Sequence, residues 1–326
     1  MSVRPLVSVV LPTYNRAKTL QRAIESVLNQ TFSDFELIII DDRSTDGTDL
    51  ILRKYAGRER LRVMSQLRPG CAVARNIGVR VASGRYVAFQ DSDDEWLADK
   101  LAYQVARMEA LPEDVAMTQA AILRFQGQGT ECEYYLSNLP TESHQKQLEG
   151  ILPINMTSFT QAWLLRREVI GAVGDFDERL PLWEDWELMI RILEKYRVDI
   201  DKKPVAVVYD TPGGLTAQDK VRPAAFRLIV ERHRELMGRY PMVLAQNLYI
   251  VGRMDIVAEG QAERGRKAVM ESLRLNPRQL KGWVLLLTSI GGAWPARIIA
   301  RTRFRLRSWM WQMRQRWYRR RDPFKA

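Results

Sequence analysis

Apolar and polar residues alternate along the first half of the chain in a pattern typical of α/β proteins. Short apolar runs that predict β-strands are separated by segments in which apolar residues recur at helical spacing. The predicted strands are Leu6–Leu11, Phe35–Ile40, Leu61–Ser65 and Tyr86–Gln90. The predicted helices that connect them lie around Leu20–Leu28, Thr48–Tyr55 and Val73–Val81. Because strands and helices alternate, the pattern predicts a Rossmann-like, mostly parallel central sheet flanked by helices.

The second half of the chain predicts fewer strands. Val115–Phe125 is a predicted strand, and the polar stretch 126–150 predicts an irregular loop. Trp183–Tyr196 predicts an amphipathic helix, and Val205–Tyr209 a further strand. From about Arg222 onward only helical patterns remain. We therefore expect an α/β domain over residues 1–215, a helical region over 216–280 and a basic amphipathic tail over 281–326.

Polar turns follow the carboxyl ends of three predicted strands. These turns are Thr13-Tyr14-Asn15, Asp41-Asp42 and Asp91-Ser92-Asp93. Parallel strands place their carboxyl ends at one edge of the sheet, where ligands bind in open α/β sheets. We therefore expect these turns to meet at one cleft, although about eighty residues separate the first from the last.

The acidic turn after the fourth strand suggests a metal site. Strand alternation would place Asp91 and Asp93 on one face, and Asp94 adds a third acid. Carboxylates that lie together repel one another unless a proton or a cation lies between them, and Mg²⁺ or Mn²⁺ prefers such oxygen ligands. The alternative is an acidic loop that opens the next helix, where acids complement the helix dipole.

The composition narrows the chemistry and the compartment. The chain has only two histidines and two cysteines, so a His-rich zinc site, a Ser-His-Asp triad and a disulfide framework are not expected. Catalysis would have to rest on carboxylates. Two distant cysteines and a start that leads directly into a predicted strand favour a cytoplasmic location.

The motifs together resemble the inverting family 2 glycosyltransferases of the GT-A fold. The matching strings are Val9–Asn15, Ile40–Thr48, Ala74–Gly78, Phe89–Asp94 and Glu184-Asp185-Trp186. Five strings in this order are a strong signal, and the resemblance covers about the first 215 residues. It implies a nucleotide-diphosphate sugar as donor, with UDP as the favoured nucleotide, and Mn²⁺ or Mg²⁺ as cofactor.

The resemblance also implies a role for each matching residue. It assigns donor binding to Pro12, Tyr14, Asp41, Asp42, Arg75, Asp91 and Ser92, and metal binding to Asp93 and Asp91. Asp42 is the better candidate than Asp41 for hydrogen-bonding a uracil base. Arg75 would support either the base pocket or the phosphates.

Asp185 is the candidate general base, and Glu184 is its neighbour in the same motif. An inverting transfer needs a base that removes the proton of the acceptor hydroxyl. The N-terminus of the predicted helix favours the ionised carboxylate that a base requires. The alternative is that both acids only complement the helix dipole.

Positive charge is concentrated at the C-terminal end. The net charge is +11, and Arg297–Ala326 contains ten arginines, one lysine and one aspartate, so the rest of the chain is nearly neutral. Tryptophan and methionine residues between these arginines favour an interfacial helix on an anionic membrane. The alternatives are a nucleic-acid-binding segment and a solvated tail. Lipid-linked sugars are frequent acceptors of such enzymes, so we favour the membrane and expect no nucleic acid partner.

The resulting expectation is a metal-dependent inverting glycosyltransferase, peripheral on the cytoplasmic face of the plasma membrane. It would move one sugar to a hydroxyl of a cell-envelope glycan or a lipid-linked acceptor. The alternative is a catalytically silent, glycosyltransferase-like subunit of a membrane assembly. The sequence does not identify the sugar, the acceptor or the linkage.

Overall fold

Two units divide the chain in the computed structural model, Met1–Val221 and Arg222–Ala326. The structure describes residues 4–126, 131–154, 159–210 and 220–290. The predicted basic stretch 297–326 lies outside the described residues.

A mixed sheet forms the centre of the first unit. Its described strands are β1 Val7–Thr13, β2 Phe35–Asp41, β3 Leu61–Ser65, β4 Tyr86–Phe89, β5 Glu95–Trp96, β6 Val115–Gln126, β7 Glu131–Tyr135, β8 Trp163–Arg166 and β9 Arg197–Tyr209. They are ordered β3-β2-β1-β4-β8-β6-β9-β5, and β7 pairs with β6. The four strands predicted from the first half, β1 to β4, are mutually parallel as expected. β8 is antiparallel to β4 and β6, so the sheet is mixed beyond β4.

Seven helices of the first unit lie in the described residues. They are α1 Leu20–Leu28, α2 Thr48–Arg53, α3 Cys71–Val81, α4 Lys100–Ala110, α5 His144–Ile151, α6 Arg167–Val173 and α7 Glu184–Lys195. The apolar residues of α1 that repeat at helical spacing are fully buried, as are most residues of β1 and β2. Near-continuous apolar runs are typical of strands that are covered on both faces. These strands form the core beneath the edge of the sheet where the polar turns lie.

The interval 126–150 is where the sequence-based prediction was wrong. Instead of an irregular loop, it contains β7 and α5. β7 is held by antiparallel pairing with β6. α5 begins after Ser143, whose side-chain oxygen accepts a hydrogen bond from the Lys146 amide at 3.2 Å. Both elements are rich in polar residues and show little apolar periodicity, so the pattern of the sequence missed them.

The second unit is helical, as predicted from Arg222 onward. Its described helices are α8 Arg222–Arg232, α9 Arg234–Gly238, α10 Pro241–Met254, α11 Ala262–Leu275 and α12 Leu280–Thr288, and a π-helical turn, Asp255–Glu259, follows α10. α10 and α11 cross where Gly252 faces Gly265. A Cβ atom on either glycine would lie 2.6 Å from the carbonyl oxygen of the other, so the crossing requires residues without side chains.

A buried ionic cluster fixes the turn between α10 and α11. Asp255 is fully buried and accepts hydrogen bonds from the Arg264 Nε and Nη2 atoms at 3.0 and 2.9 Å. Arg227 pairs with the same carboxylate. Two guanidinium partners offset the cost of burying this charge. Across the four described ranges, no helix combines the length and the apolar content that a membrane crossing requires.

Candidate active site

The polar turns after β1, β2 and β4 meet at one edge of the sheet, as predicted. Thr13 is paired with Asp41 at the ends of β1 and β2. Beyond these ends, the Asn15 amide donates to Ser44 Oγ at 2.9 Å. Arg16 then reaches the turn after β4, where its Nη2 atom lies 3.3 Å from Asp93 Oδ2.

The two acids after β2 have different surroundings. Asp41 is buried and accepts a 2.6 Å hydrogen bond from Ser44 Oγ, so it stabilises its own turn. Asp42 accepts the Gly70 amide at 2.9 Å through Oδ2. Its other oxygen, Oδ1, is buried and has no hydrogen-bond partner among the described residues. An unpaired buried acceptor is costly, so this oxygen is a natural site for a donor group of a ligand.

Pro12 and Tyr14 were also expected at this edge of the sheet. Pro12 is buried within β1, where it is paired with Ile40. Tyr14 follows β1 and has an exposed side chain. The structure therefore offers Tyr14, rather than Pro12, as a surface that a ligand can touch.

The acidic turn after β4 differs from the expectation in its backbone. β4 ends at Phe89, and the Asp94 amide bonds the Asp91 carbonyl at 3.2 Å, so residues 91–94 form a turn and strand alternation does not orient them. Ser92 is buried, and its carbonyl accepts a hydrogen bond from Thr19 Oγ1 at 2.9 Å. The Asp93 carbonyl accepts the Arg22 guanidinium at 2.5 Å. These two hydrogen bonds fix the backbone of the turn.

Asp94 is the structural member of the acidic turn. It is buried and accepts hydrogen bonds from Gln161 Nε2 at 2.7 Å and from the Tyr209 amide at 3.0 Å. Burial raises the pKa of Asp94 well above its ordinary value, and the charges of Asp91 and Asp93 raise it further. Asp94 therefore ties the acidic turn to the end of β9.

Asp91 and Asp93 keep part of their side chains accessible, 28% and 20% respectively. No group of three or more His, Cys, Asp or Glu side chains within the described ranges is arranged to hold a metal ion. A cation on these two carboxylates would take its other ligands from water or from a phosphate-bearing ligand, which suits Mg²⁺ and Mn²⁺. The oxygen-only donor set of Asp91 and Asp93 thus fits the implied ion.

Arg75 joins the two acidic motifs. Its buried guanidinium donates to Glu184 Oε1 at 2.5 Å, to Asp91 Oδ1 at 2.9 Å and to Thr160 Oγ1 at 3.2 Å. Arg75 was expected to support the base pocket or the phosphates. The structure places the Arg75 guanidinium between the turn after β4 and the start of α7, a position that suits its planar geometry, and its role in donor binding stays a prediction.

Asp185 lies at the start of α7, beside this ion pair. It is partly buried, and its Oδ1 atom accepts the Trp186 amide at 2.8 Å. Burial and the charge of Glu184 raise the pKa of Asp185 to about 7, although Arg75 and the amide act in the opposite direction. Glu184 is buried and paired with Arg75, which leaves Asp185 as the better candidate for a base.

The backbone is strained next to these residues. Four non-glycine residues of the described part of the chain have positive φ, and three of them flank the polar edge: Asn15 at 50°, Arg43 at 58° and Trp183 at 64°. A tryptophan in this region is a clear outlier. Such residues are concentrated at functional sites, where surrounding structure maintains them.

Sequence reasoning missed two residues of this site. Arg16 directly follows the recognised string that ends at Asn15, so extending that string would have found it. Thr160 belongs to a short 3₁₀ turn, Thr160–Ala162, in a region without any matching motif. Nothing in the sequence indicated that Thr160 contacts Arg75.

Comparison with known proteins identifies the family. Residues 8–174 match the family model described as glycosyl transferase family 2. TuaG of Bacillus subtilis, named as a teichuronic acid biosynthesis glycosyltransferase, is 48% identical over 107 residues, 32% of this chain and 42% of TuaG. WfgD of Escherichia coli, named as a UDP-Glc:α-D-GlcNAc-diphosphoundecaprenol β-1,3-glucosyltransferase, is 40% identical over 103 residues, 32% of this chain and 41% of WfgD. The matches thus span about two-fifths of each relative.

A solved structure shares the fold. S. aureus TarS (residues 1–349), crystallised with UDP-GlcNAc, superposes with a TM-score of 0.61 at 20% sequence identity, over 82% of this chain and 81% of that one. At this identity the likeness shows the GT-A fold alone. Since the family model covers half of the chain, this protein belongs to glycosyl transferase family 2.

Proposed function

We propose that this chain transfers one sugar from a UDP-sugar to a hydroxyl group of a cell-envelope glycan or lipid-linked acceptor, with inversion at the anomeric carbon. The observation that carries the proposal is the continuous network from Asp91 through Arg75 to Glu184, which ends beside Asp185. A carboxylate with a pKa of about 7 is thereby held near the two acids that fit a metal ion. WfgD, which uses UDP-glucose by its name, supports a UDP-linked donor.

The nucleoside end of the donor would bind at the turns after β1 and β2. The buried Asp42 Oδ1 atom is without a described partner and would accept an N–H group of the uracil base. The exposed Tyr14 ring offers an apolar surface to the base or ribose. Pro12 and Asp41 shape this pocket from within the sheet, and Asp91 would face the ribose side.

The diphosphate would lie over the acidic turn. Asp93, with Asp91, would hold Mn²⁺ or Mg²⁺, and the bound ion would neutralise the negative charge that develops on the nucleoside diphosphate as it leaves. Ser92 contributes through the backbone of the turn. Arg16, 3.3 Å from Asp93, adds a positive charge at the same place.

Asp185 would act as the general base. Its ionised carboxylate accepts the proton of the acceptor hydroxyl while that oxygen forms a bond to the anomeric carbon. The bond from the anomeric carbon to the diphosphate oxygen breaks with its electron pair on the nucleoside diphosphate, so a single displacement inverts the configuration. A pKa close to the working pH suits this task, since the base is ionised and still strong.

The proposed location is the cytoplasmic face of the plasma membrane, where lipid-linked acceptors are available. The basic sequence 297–326 would contact anionic lipid headgroups. WfgD, whose name specifies a diphosphoundecaprenol-linked acceptor, supports an acceptor of that class.

The test is release of UDP from a panel of UDP-sugars with Mn²⁺ and lipid-linked or short glycan acceptors. The proposal predicts acceptor-dependent release that Asp185→Asn abolishes while UDP binding persists. Absence of release with every donor, in a folded chain that binds UDP, would favour the silent membrane subunit instead.

A further inference from the structure

The outward face of α12 is apolar and lacks a described partner within the second unit. Five of the twelve exposed large apolar side chains of the described residues lie between Leu280 and Ile290. These five are Leu280, Trp283, Val284, Leu287 and Ile290. Leu280 and Leu287, two turns apart on one helical face, are 77% and 64% exposed. A contiguous exposed apolar surface of this kind marks an interaction site.

The opposite face of α12 completes the core of the second unit. Leu285 is buried in a cluster with Val269 and Leu273 of α11. Gly282 lies so close to α11 that a Cβ atom there would be 2.8 Å from Leu273 Cδ2. The packing therefore fixes the rotation of α12, and the apolar stripe faces outward because the core side is already occupied.

The charges around this face indicate its partner. Residues 272–290 contain no acid, while Arg274, Arg278 and Lys281 are exposed. The chain then continues toward the arginine-rich sequence 297–326. An apolar stripe with only basic neighbours complements an anionic lipid surface, whereas two copies of the stripe would bring like charges together.

Trp283 has the properties of an interfacial side chain. Its ring is partly exposed, and its Nε1–H group donates to the Pro277 carbonyl at 2.8 Å. Because this donor is already satisfied, the indole can leave water without an unpaired N–H group. Tryptophan is enriched at the membrane–water interface for its combination of an apolar ring and a polar edge.

We propose that the outward face of α12 lies in the interface of an anionic phospholipid bilayer. Its apolar side chains occupy the boundary between headgroups and acyl chains, and Arg278 and Lys281 lie at the level of the phosphates. This deepens, and rests on, the membrane location of the proposed function. It adds a hydrophobic contact to the electrostatic attraction of the basic sequence, and stable peripheral binding commonly needs two such contributions.

The test is binding of the full chain to vesicles of phosphatidylglycerol and phosphatidylcholine, measured by co-sedimentation. Leu280→Gln with Leu287→Gln should lower the affinity at least about tenfold, since two leucines no longer enter the bilayer. The matched control is Leu50→Gln with Met242→Gln. Both control positions are 60% exposed apolar residues outside α12, and vesicle affinity should stay within about twofold of wild type.

Thermal unfolding checks that both double variants remain folded. Unchanged vesicle affinity of the α12 variant would overturn the inference. That result is expected if wild-type binding is purely electrostatic or if residues 291–326 cover the stripe. It is also expected if the substitutions change only the oligomeric mass. UDP release with a short glycan acceptor, measured in parallel, separates the two proposals. Loss of vesicle binding with intact UDP release supports the inference. A chain that binds vesicles through α12 but releases no UDP would contradict only the transferase proposal.

Discussion

The ionisation of Asp185 depends on two neighbours of opposite charge, and Glu184→Gln removes one of them. The negative charge of Glu184 raises the pKa of Asp185, whereas the positive charge of Arg75 lowers it. Glutamine keeps the size and the oxygen that accepts from Arg75. The substitution should therefore lower the pKa of Asp185 below about 7 while the local structure persists.

The magnitude follows from the interaction of neighbouring charges. Unit charges about 4 Å apart interact in general by about 1 kcal/mol in bulk water and by about 4 kcal/mol at an effective dielectric constant of about 20. Because Arg75 neutralises part of the Glu184 charge, we expect a value toward the lower end, about 1.4 kcal/mol. One pKa unit corresponds to about 1.4 kcal/mol, so we expect a decrease of about one unit. At pH 6 the ionised fraction of Asp185 would then rise from about one-tenth to about one-half, an increase of about fivefold.

The assay is the pH dependence of kcat/KM for the UDP-sugar, which reports the ionisation of the free enzyme. The wild-type profile should rise with pH through a midpoint near 7, because the base must be deprotonated. Glu184→Gln should move this midpoint to lower pH, and Arg75→Ala should move it to higher pH. Arg75→Lys keeps the positive charge and is the control for the loss of the branched guanidinium group that contacts both Glu184 and Asp91. A Glu184→Gln profile that stays in place or moves upward would refute the assignment of Asp185 as the titrating base.

Four further predictions follow from the described geometry. Asp93→Asn should raise the Mn²⁺ concentration for half-maximal UDP release at least about tenfold, measured by metal titration. Asp42→Asn should raise the donor KM about tenfold with little change in kcat, since it alters ground-state contacts to the base. Asp185→Asn should stabilise the fold at pH 8 by as much as about 4 kcal/mol, because a pKa raised from 3.8 to about 7 removes stability as pH rises through that window. Gly78→Ala should cost about 1–3 kcal/mol in denaturant unfolding, as its Cβ atom would lie 2.3 Å from Val10 Cγ1.

Each of these predictions has a control. The Mg²⁺ or Mn²⁺ concentration for half-maximal UDP release should be the same in Asp42→Asn as in wild type. A higher metal requirement in both Asp42→Asn and Asp93→Asn would mean that Asp42 and Asp93 do not act separately. The gain in stability of Asp185→Asn should fall below about 1 kcal/mol at pH 4, where the Asp185 carboxyl is neutral in the folded chain and only partly ionised in the unfolded chain; a gain at pH 4 as large as that at pH 8 would point to another cause. Val10→Ala should restore part of the stability lost in Gly78→Ala, because it removes the clashing methyl groups. Simple addition of the two losses would contradict the packing explanation.

The sequence predicted best those elements whose apolar pattern reports burial directly. Strands β1, β2 and β4 are near-continuous apolar runs, and the connecting helices have clear stripes, so both the parallel order and the polar edge could be inferred. The strand β8 and the two-residue strand β5 could not, because their pairing partners lie far away in the sequence. The break between α11 and α12 is marked in the sequence by Asn276-Pro277.

The candidate site was predicted in its residue types and only partly in its geometry. Asp42 follows β2, Asp93 lies in the turn after β4 and Asp185 lies in the first turn of α7, and their roles in binding and catalysis stay predictions. Strand alternation failed for Asp91 and Asp93 because the chain turns immediately after Phe89. The ion pair between Arg75 and Glu184 joins residues 109 positions apart, and no local pattern encodes such a contact.

The most direct test of the central claim is a crystal structure of the full chain with UDP and Mn²⁺, using the anomalous signal of manganese to locate the ion. We expect one manganese ion bound by Asp93 beside the diphosphate, with the uracil at the Oδ1 atom of Asp42 and the carboxylate of Asp185 open to the acceptor side. Manganese and UDP bound away from the carboxyl edge of β1, β2 and β4 would contradict it.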